Sequence, residues 1–530
     1  MSLSAYKDPW NVLSVAAALV PLLPLAALAW LAANPEAPIW QHLLSTVLPG
    51  QAVTTIGLMS GVAVLCGTIG TGTAWLVTFY RFPLRRLLGW ALLLPLAIPT
   101  YLMAYAYGDV LDQAGPLYQL WRGVFSPESF PEFRSLLGAI LLLSLVLYPY
   151  VYLSARAAFV QQSAVLIEAG RALGITPLAC FWRIGLPMAR PAIIVGTALA
   201  MMECLNDIGA VEFLGVNTLT IGVYDTWVVR GNLGGAAQIA LTLLAFMTFI
   251  LWLERSHRGQ AAHHTRSGRQ RSLPDFTAGR AGQALMLLAC LLPVVLGFIV
   301  PVGLLLNHAV GAEVTATVQA AAGRSVGLAA GAAAITCILG LGLSYAARSG
   351  PKAVQRTGQM AALGYAVPGT VLAIGIMVML GSLAELSGGW LVLSGTVAAL
   401  LLAYMVRFLS LSFGTLEAGF GRLSPGLDMA ARSLGCSKTG ALARVHIPLL
   451  RSALLTAAIL VFVDVMKELP ATLILRPFDF ETLATSVYMY ASVGQLEEAA
   501  LPALLIIAVG LIPVAISMKL IEDVRRARRL

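Results

Sequence analysis

Glu168-AGRALGITPLACFWRIGL-Pro187 recurs later in the chain as Met429-AARSLGCSKTGALARVHI-Pro448, 261 residues further on. Each copy begins as a short Ala-rich amphipathic helix, breaks at Gly174 or Gly435, restarts, and ends at Pro187 or Pro448. Glycine accepts positive φ at a helix C-terminus, so the break reads as a helix–turn–helix lying on a membrane surface. Arg171, Arg183, Arg432 and Arg444 then face lipid headgroups or a partner.

Outward from this pair, the rest of the chain repeats in the same order. Gly57, Gly61, Gly70 and Gly72 return as Gly327, Gly331, Gly340 and Gly342, each displaced by 270. Pro99 returns as Pro368, displaced by 269, and Thr218, Leu219 and Tyr224 return as Thr482, Leu483 and Tyr488, displaced by 264. The offset drifts as a few loop insertions make it drift. The G-x-x-x-G pairs, Gly57/Gly61 and Gly327/Gly331, predict close helix approach, a purely structural role.

Between these landmarks the chain is apolar. Of 530 residues 58% are hydrophobic and 11% charged, with a mean hydropathy of +0.83. Soluble domains average roughly 25% charged residues, so a soluble enzyme and a disordered chain are both excluded. A bilayer core of about 30 Å takes roughly 20 apolar residues in a helix. Such stretches fall at 11–33, 53–80, 87–108, 135–155, 188–206 and 236–253, then at 283–305, 325–347, 357–381, 387–411, 449–466 and 499–520. The first run lacks an A-x-A-like cleavage site and reads as a retained span. The expectation is an all-α integral membrane protein of about twelve spans. Its parts are a first six-span repeat at 1–254, a basic cytoplasmic linker at 255–282 and a second repeat at 283–530. An even number of spans per half makes the repeats parallel, related by an axis along the membrane normal.

The net charge of +9, from 34 basic and 25 acidic residues, follows this topology. With both termini cytoplasmic, the inner segments hold Arg81, Arg85 and Arg86 after the second span and Arg348, Lys352 and Arg356 after the eighth. The linker carries Arg255, Arg258, Arg266, Arg269, Arg271 and Arg280, and the tail Lys519, Arg525, Arg526, Arg528 and Arg529. The outer loops hold only Arg122, Arg134, Arg230 and Arg476. This is the positive-inside pattern of a multi-pass protein, and nucleic acid drops out as a partner. The six cysteines form no C-x-x-C, and the histidines no H-E-x-x-H; His263 and His264 read as a solvated tract in the linker.

Charges inside spans are costly and mark function by default. Glu203 and Asp207 lie at the end of the fifth span, and Asp464 and Glu468 hold the equivalent places in the eleventh. Spaced i, i+4, each pair is expected to share a helix face. At 1.5 Å per residue, Glu203 and Asp207 lie about 24 and 30 Å beyond Pro187, in the outer part of the membrane. Facing carboxylate pairs attract a cation, and a hard cation favours carboxylate and phenolate oxygen, the latter from Tyr224 and Tyr488. The other reading stays open: these groups sit at the interface, solvated or paired locally, with Lys467 three residues from Asp464. A permanent metal site is not expected, because conduction needs weak binding.

The duplicated loop resembles the EAA loop of ABC-importer permeases. Glu168, Ala169, Gly174 and Pro187 carry the pattern in the first copy, and Ala430, Ala431, Gly435 and Pro448 in the second. Gly170 replaces the second Ala of the first copy, and Met429 stands where Glu is usual in the second, with Asp428 just before it. Asp207-IGAVEFLGVNTLTIGVYDT-Trp227 and Asp464-VMKELPATLILRPFDFETLATSV-Tyr488 are similar to fused two-domain permeases of the ferric-iron importer family. Thiamine and 2-aminoethylphosphonate permeases share the fused design. The resemblance implies a type I importer-like permease in the bacterial cytoplasmic (inner) membrane, whose loops dock on a cytoplasmic ABC ATPase dimer. It also implies a periplasmic or lipid-anchored solute-binding protein, and ATP and Mg on the ATPase rather than any cofactor in this chain. The chain has no G-x-x-x-x-G-K-[ST], since Gly435-CSKT-Gly440 lacks the spacing, and so reads as a transport subunit rather than an enzyme. A 6+6 secondary transporter is the alternative class, but it needs coupling acids deep in the bundle, where this chain is nearly free of charge. A membrane enzyme needs a zinc or nucleophile motif, and none occurs.

Overall fold

The computed structural model describes residues 9–35, 40–113, 115–126, 129–161, 164–258, 276–351, 354, 364, 367–424 and 426–527. The linker residues Arg266, Arg269 and Arg271, the start of the expected ninth span, Lys352, Arg356, Arg528 and Arg529 lie outside the described residues. Among the described residues eleven helices are long and apolar enough to cross a membrane, and a bent pair makes a twelfth. The strand content described is one short parallel pairing, Tyr80–Arg81 with Phe276–Thr277.

Proline and glycine account for most departures from the expected span boundaries. The third span is broken: Arg85–Ala91 and a 3₁₀ turn at Leu94–Ala97 meet Thr100–Leu111 across a bend of 92°. Pro99 sits at φ −58°, ψ 143° just before the restart; proline lacks an N–H and pushes its predecessor out of the helical region. In the ninth span the described helix Gly369–Leu386 follows Pro368, and the tenth starts at Val397 rather than 387. Gly388, Gly389 and Gly395 take positive φ in the intervening loop, whose apolar Trp390 is 93% exposed. The fifth and eleventh spans begin earlier than expected, each entering through a π-helical turn, Phe181–Gly185 and Leu442–His446.

The chain divides into two compact units that interleave the repeats. One comprises Met1–Gln41, Val223–Leu244 and Val314–Ser486. It therefore combines the middle of the second repeat with the first span, in which Leu22–Ala33 packs on Gly369–Leu386. Within it, Gln238 donates from Nε2 to the Ala32 carbonyl at 3.1 Å. The other comprises His42–Gly222, Ala245–Glu313 and Val487–Leu530, combining the middle of the first repeat with the seventh and last spans.

Small residues set the helix spacing inside each unit. Leu48–Phe79 packs on Leu136–Gln161, and a Cβ on Gly70 would lie 2.7 to 2.9 Å from Val151, the Tyr152 nitrogen and the Tyr148 carbonyl. The equivalent Gly340 lies against Ser412 and Phe413, where a Cβ would be at 3.1 Å. Of the G-x-x-x-G pairs, Gly61 makes a close approach, to Ile140, whereas a Cβ on Gly327 would meet nothing within 4 Å. Gly70→Ala is therefore expected to cost about 1–3 kcal/mol by overpacking against backbone. Gly72→Ala, with open space around it, should leave the melting temperature of the purified protein unchanged or slightly raised. Thermal unfolding of the two variants in detergent checks the contrast.

Candidate functional site: two equivalent loops and an acidic cavity

The duplicated motif folds the same way twice. Helix Ala164–Ala172 ends at Gly174, φ +77°, and helix Gly426–Ser433 ends at Gly435, φ +80°. In each, two crossing hydrogen bonds close the turn. Ile175 N–H donates to the Gly170 carbonyl (3.0 Å) and Gly174 N–H to that of Arg171 (2.9 Å). Cys436 N–H donates to the Ala431 carbonyl (3.0 Å) and Gly435 N–H to that of Arg432 (2.9 Å). This is the left-handed helix stop that only glycine adopts without strain. A hydroxyl then caps the next short helix: Thr176 accepts from Ala179 N–H and Ser437 from Gly440 N–H.

Both loops present apolar side chains outward. Leu173 and Leu434, at equivalent positions on the turn, are 80% and 85% exposed. Leu178 and Trp182 in the first loop and Met429 in the second are also exposed, as are Glu168, Ala169, Ala430, Pro187 and Pro448. Gly170 and its equivalent Ala431 are buried. A methyl on Gly170 would lie 3.0 Å from Ile184, which gives a packing reason for the departure from Ala there.

The loops differ in how they are held. In the second, the Asp428 carboxylate takes Arg348 Nε at 2.9 Å and His446 Nε2 at 2.7 Å. Arg348 also donates to the carbonyls of Phe420, Leu423 and Ser424, and Tyr345 donates to the Lys438 carbonyl at 2.9 Å. In the first, the Arg171 guanidinium lies over the Phe276 ring, 5.4 Å from its centroid, and Trp75 meets Phe181 edge-on at 5.2 Å. In the sequence Arg348 stands only as a basic loop residue and nothing marks Trp75, Phe276 or His446, because these partners come together from separate segments.

Partial burial raises the Asp428 pKa, but the hydrogen bonds and charges of Arg348 and His446 outweigh it, holding the carboxyl below its ordinary value. A folded-state pKa below the unfolded one makes the contribution to stability present above about pH 4 and lost as pH falls through the folded value. Asp428→Asn should therefore melt below wild type at neutral pH, and the gap should narrow below about pH 4. Melting curves across that range check it.

The four span carboxylates divide differently from the expectation. Helix Leu186–Asn206 ends before Asp207, and Ile447–Met466 ends before Glu468, so neither i, i+4 pair shares a continuous helix face. Asp207 instead caps Gly209–Phe213, accepting from the N–H groups of Ala210 (2.9 Å) and Val211 (3.2 Å) and from the Thr100 hydroxyl. Glu468 caps Pro470–Leu475 identically, accepting from Ala471 (3.0 Å) and Thr472 (3.1 Å), and is paired with buried Arg407 at 3.4 Å. Glu203 is half-buried, and Asp464 pairs with Lys467 at 3.0 Å. The two tyrosines also separate. Tyr224 is half-buried at the end of Leu219–Tyr224, whereas Tyr488 donates to Glu212 at 2.6 Å.

Glu212 and Tyr488 belong to a cavity of about 430 Å³, which Tyr105, Asp109, Asp112 and Arg134 also line. All these residues lie within the unit that holds the middle of the first repeat. Asp109 pairs with His308 at 2.9 Å and Asp112 with Arg134 at 2.7 Å. No motif marks Glu212 inside Asp207–Trp227; its one signal in the sequence is a carboxylate five residues beyond Asp207 in an otherwise apolar run.

Two parallel six-helix repeats, each with the same surface loop, define the permease class of membrane transport proteins. The chain belongs to the family of binding-protein-dependent transport system inner membrane components, whose profile matches residues 67–257. It is 31% identical to a probable sulfate transport system permease protein cysT of Nephroselmis olivacea, over 37% of this chain and 71% of that one. It is 26% identical to the Fe(3+)-transport system permease protein FbpB 2 of Haemophilus influenzae, over 91% of this chain and 90% of that one. A putative 2-aminoethylphosphonate transport system permease protein PhnU of Salmonella typhimurium is 29% identical over 36% of this chain and 69% of its own length. The protein is thus a fused permease component of a binding-protein-dependent ABC importer, a transport component of an inner-membrane system.

Proposed function

We propose that the chain forms the transmembrane pathway of an ATP-driven importer for ferric iron and couples it to a separate ATPase through its two loops. The observation that carries the substrate is the likeness to the Fe(3+)-transport permease, which runs through both repeats; the sulfate and phosphonate relatives match 36 to 40% of this chain. Coupling falls to Glu168, Ala169, Gly170, Gly174 and Pro187 in the first loop and Met429, Ala430, Ala431, Gly435 and Pro448 in the second. An apolar turn residue beside a rigid glycine stop suits a groove on a partner.

The partner ATPase dimer carries ATP and Mg on the cytoplasmic side, where both termini also lie by the positive-inside rule. A periplasmic or lipid-anchored solute-binding protein delivers substrate at the other face. ATP-driven closure of the ATPase draws the loops together and biases a two-state membrane element toward one access state. Glu203, Asp464, Tyr224 and Tyr488 are the pathway groups, while Asp207 and Glu468 hold the helix breaks beside them. The decisive experiment is iron-55 uptake into cells with this chain, its binding protein and its ATPase, against a deletion of this chain. Energy-dependent uptake lost on deletion supports the reading. Its absence, with the assembled complex still hydrolysing ATP, overturns ferric iron and points to 2-aminoethylphosphonate, the second reading on the strength of the PhnU likeness.

A further inference from the structure

We propose that the cavity around Glu212 is a one-sided acceptor site for a hydrated or partly complexed multivalent cation, with Tyr105, Glu212 and Asp109 supplying the oxygen atoms that meet it. This deepens the ferric-iron reading above and rests on it for the identity of the ion.

Charge is the first support. The lining carries three carboxylates, Asp109, Asp112 and Glu212, against the single guanidinium of Arg134. Arg134 is engaged on its own side, bonded to Asp112 at 2.7 Å and lying 4.5 Å over the Phe213 ring. His308 faces Asp109, and the Tyr488 hydroxyl faces Glu212. The donors are carboxylate and phenol oxygens, the set a hard cation prefers.

Tyr105 supplies an independent observation. It is 2% exposed and lines the cavity, with its ring fixed edge-on to Phe213 at 4.9 Å and 88°. Its hydroxyl has no hydrogen-bond partner among the described residues. The hydroxyl belongs to a side chain that lines the cavity, where a ligand or its water completes the bond.

The geometry also says which form of cation fits. Among the described residues no three His, Cys, Asp or Glu side chains converge to hold a bare metal ion. An ion that keeps its own waters or a small ligand needs only hydrogen-bond acceptors and donors around it, and about 430 Å³ admits such a shell. Loose holding is what passage requires, since a tightly chelated ion does not leave.

The duplication sharpens the assignment. At the repeat offsets of 269 and 261, the positions equivalent to Tyr105, Asp109, Asp112 and Glu212 are Ile374, Val378, Gly381 and Leu473. The capping carboxylates Asp207 and Glu468 are kept in both repeats because both repeats break a helix there. The cavity acids occur in one, so they do not belong to the shared scaffold.

The test uses the chain assembled with its ATPase in nanodiscs and titrates it with Tb³⁺ alone, reading tyrosine-sensitised terbium emission. Wild type should show saturable emission, reduced in amplitude by Tyr105→Phe, which keeps the packing. Asp109→Asn combined with Glu212→Gln should raise the half-saturating concentration at least tenfold, while Glu385→Gln, on an exposed site in the other unit, leaves it unchanged. No saturable emission in wild type, or equal titration by the double variant, overturns the site. Iron-55 uptake then separates the two readings. If wild type takes up no iron, the ferric assignment fails and the terbium result alone decides the cavity. If wild type and the double variant take up iron equally, the cavity is not an acceptor.

Discussion

Gly174→Val together with Gly435→Val should reduce the ATPase copurifying with the chain at least tenfold and stop uptake, while membrane insertion stays normal. Both glycines hold positive φ, +77° and +80°, and a Cβ on either would meet nothing within 4 Å. The cost is therefore conformational rather than steric contact. An L-residue in the left-handed region loses roughly 1–2 kcal/mol, and β-branching adds to it. The chain relieves that strain by unwinding the turn, which displaces Leu173 and Leu434 from the loop surface. Gly174→Asn with Gly435→Asn is the discriminating control, because asparagine tolerates left-handed backbone. Copurification and transport should largely survive it. Wild-type copurification by the valine variant sinks the coupling assignment.

The largest loss of stability is expected from Glu468→Ala. Its side chain is 2% exposed and pairs with Arg407, which is 8% exposed. Removing one member of a buried ion pair leaves the other charge unsolvated, at about 3–5 kcal/mol. The variant also strips the cap from Pro470–Leu475. Little folded protein should accumulate, as read by fluorescence-detected size exclusion. Arg407→Met with Glu468→Leu should recover part of the loss, because replacing both charges with apolar groups removes the desolvation penalty. Failure of the double variant to exceed the single one places the cost in the lost cap instead. Asp207→Asn should be much milder, since an amide oxygen still accepts from Ala210 and Val211 and the carboxylate has a hydroxyl, Thr100, beside it.

The twelve spans were legible because about 20 apolar residues in a row have few other uses, and the repeat was legible because its glycines and prolines keep their order. Boundaries failed where local chemistry overrides hydropathy. Trp390, Leu391 and Val392 read as span, yet three left-handed glycines hold them in a loop. The carboxylate pairs failed for a related reason: the apolar run continues past Asn206 and Met466, so nothing in composition shows that the helix stops and Asp207 and Glu468 turn to cap the next one. The acidic cavity was illegible because it draws on segments near residues 105–115, 134, 209–213 and 488–496, and no spacing rule joins them. Asp428, Arg348 and His446 come together in the same way, from a loop helix, a helix end and a π turn.

The interleaving of repeats sets a timetable for biosynthesis. The first span leaves the ribosome early, but it packs within a unit whose remaining members extend to Ser486. At ~5–20 residues per second, translating from Gln41 to Ser486 takes about 20–90 s. For the 345 residues from Gln41 to Leu386, about 17–70 s at that rate, Leu22–Ala33 sits in lipid without Gly369–Leu386, the helix on which it packs in the finished protein. Insertion chaperones and membrane proteases therefore meet this span without its main helix partner for most of synthesis, and a truncation that stops before Val314 should leave it a degradation substrate.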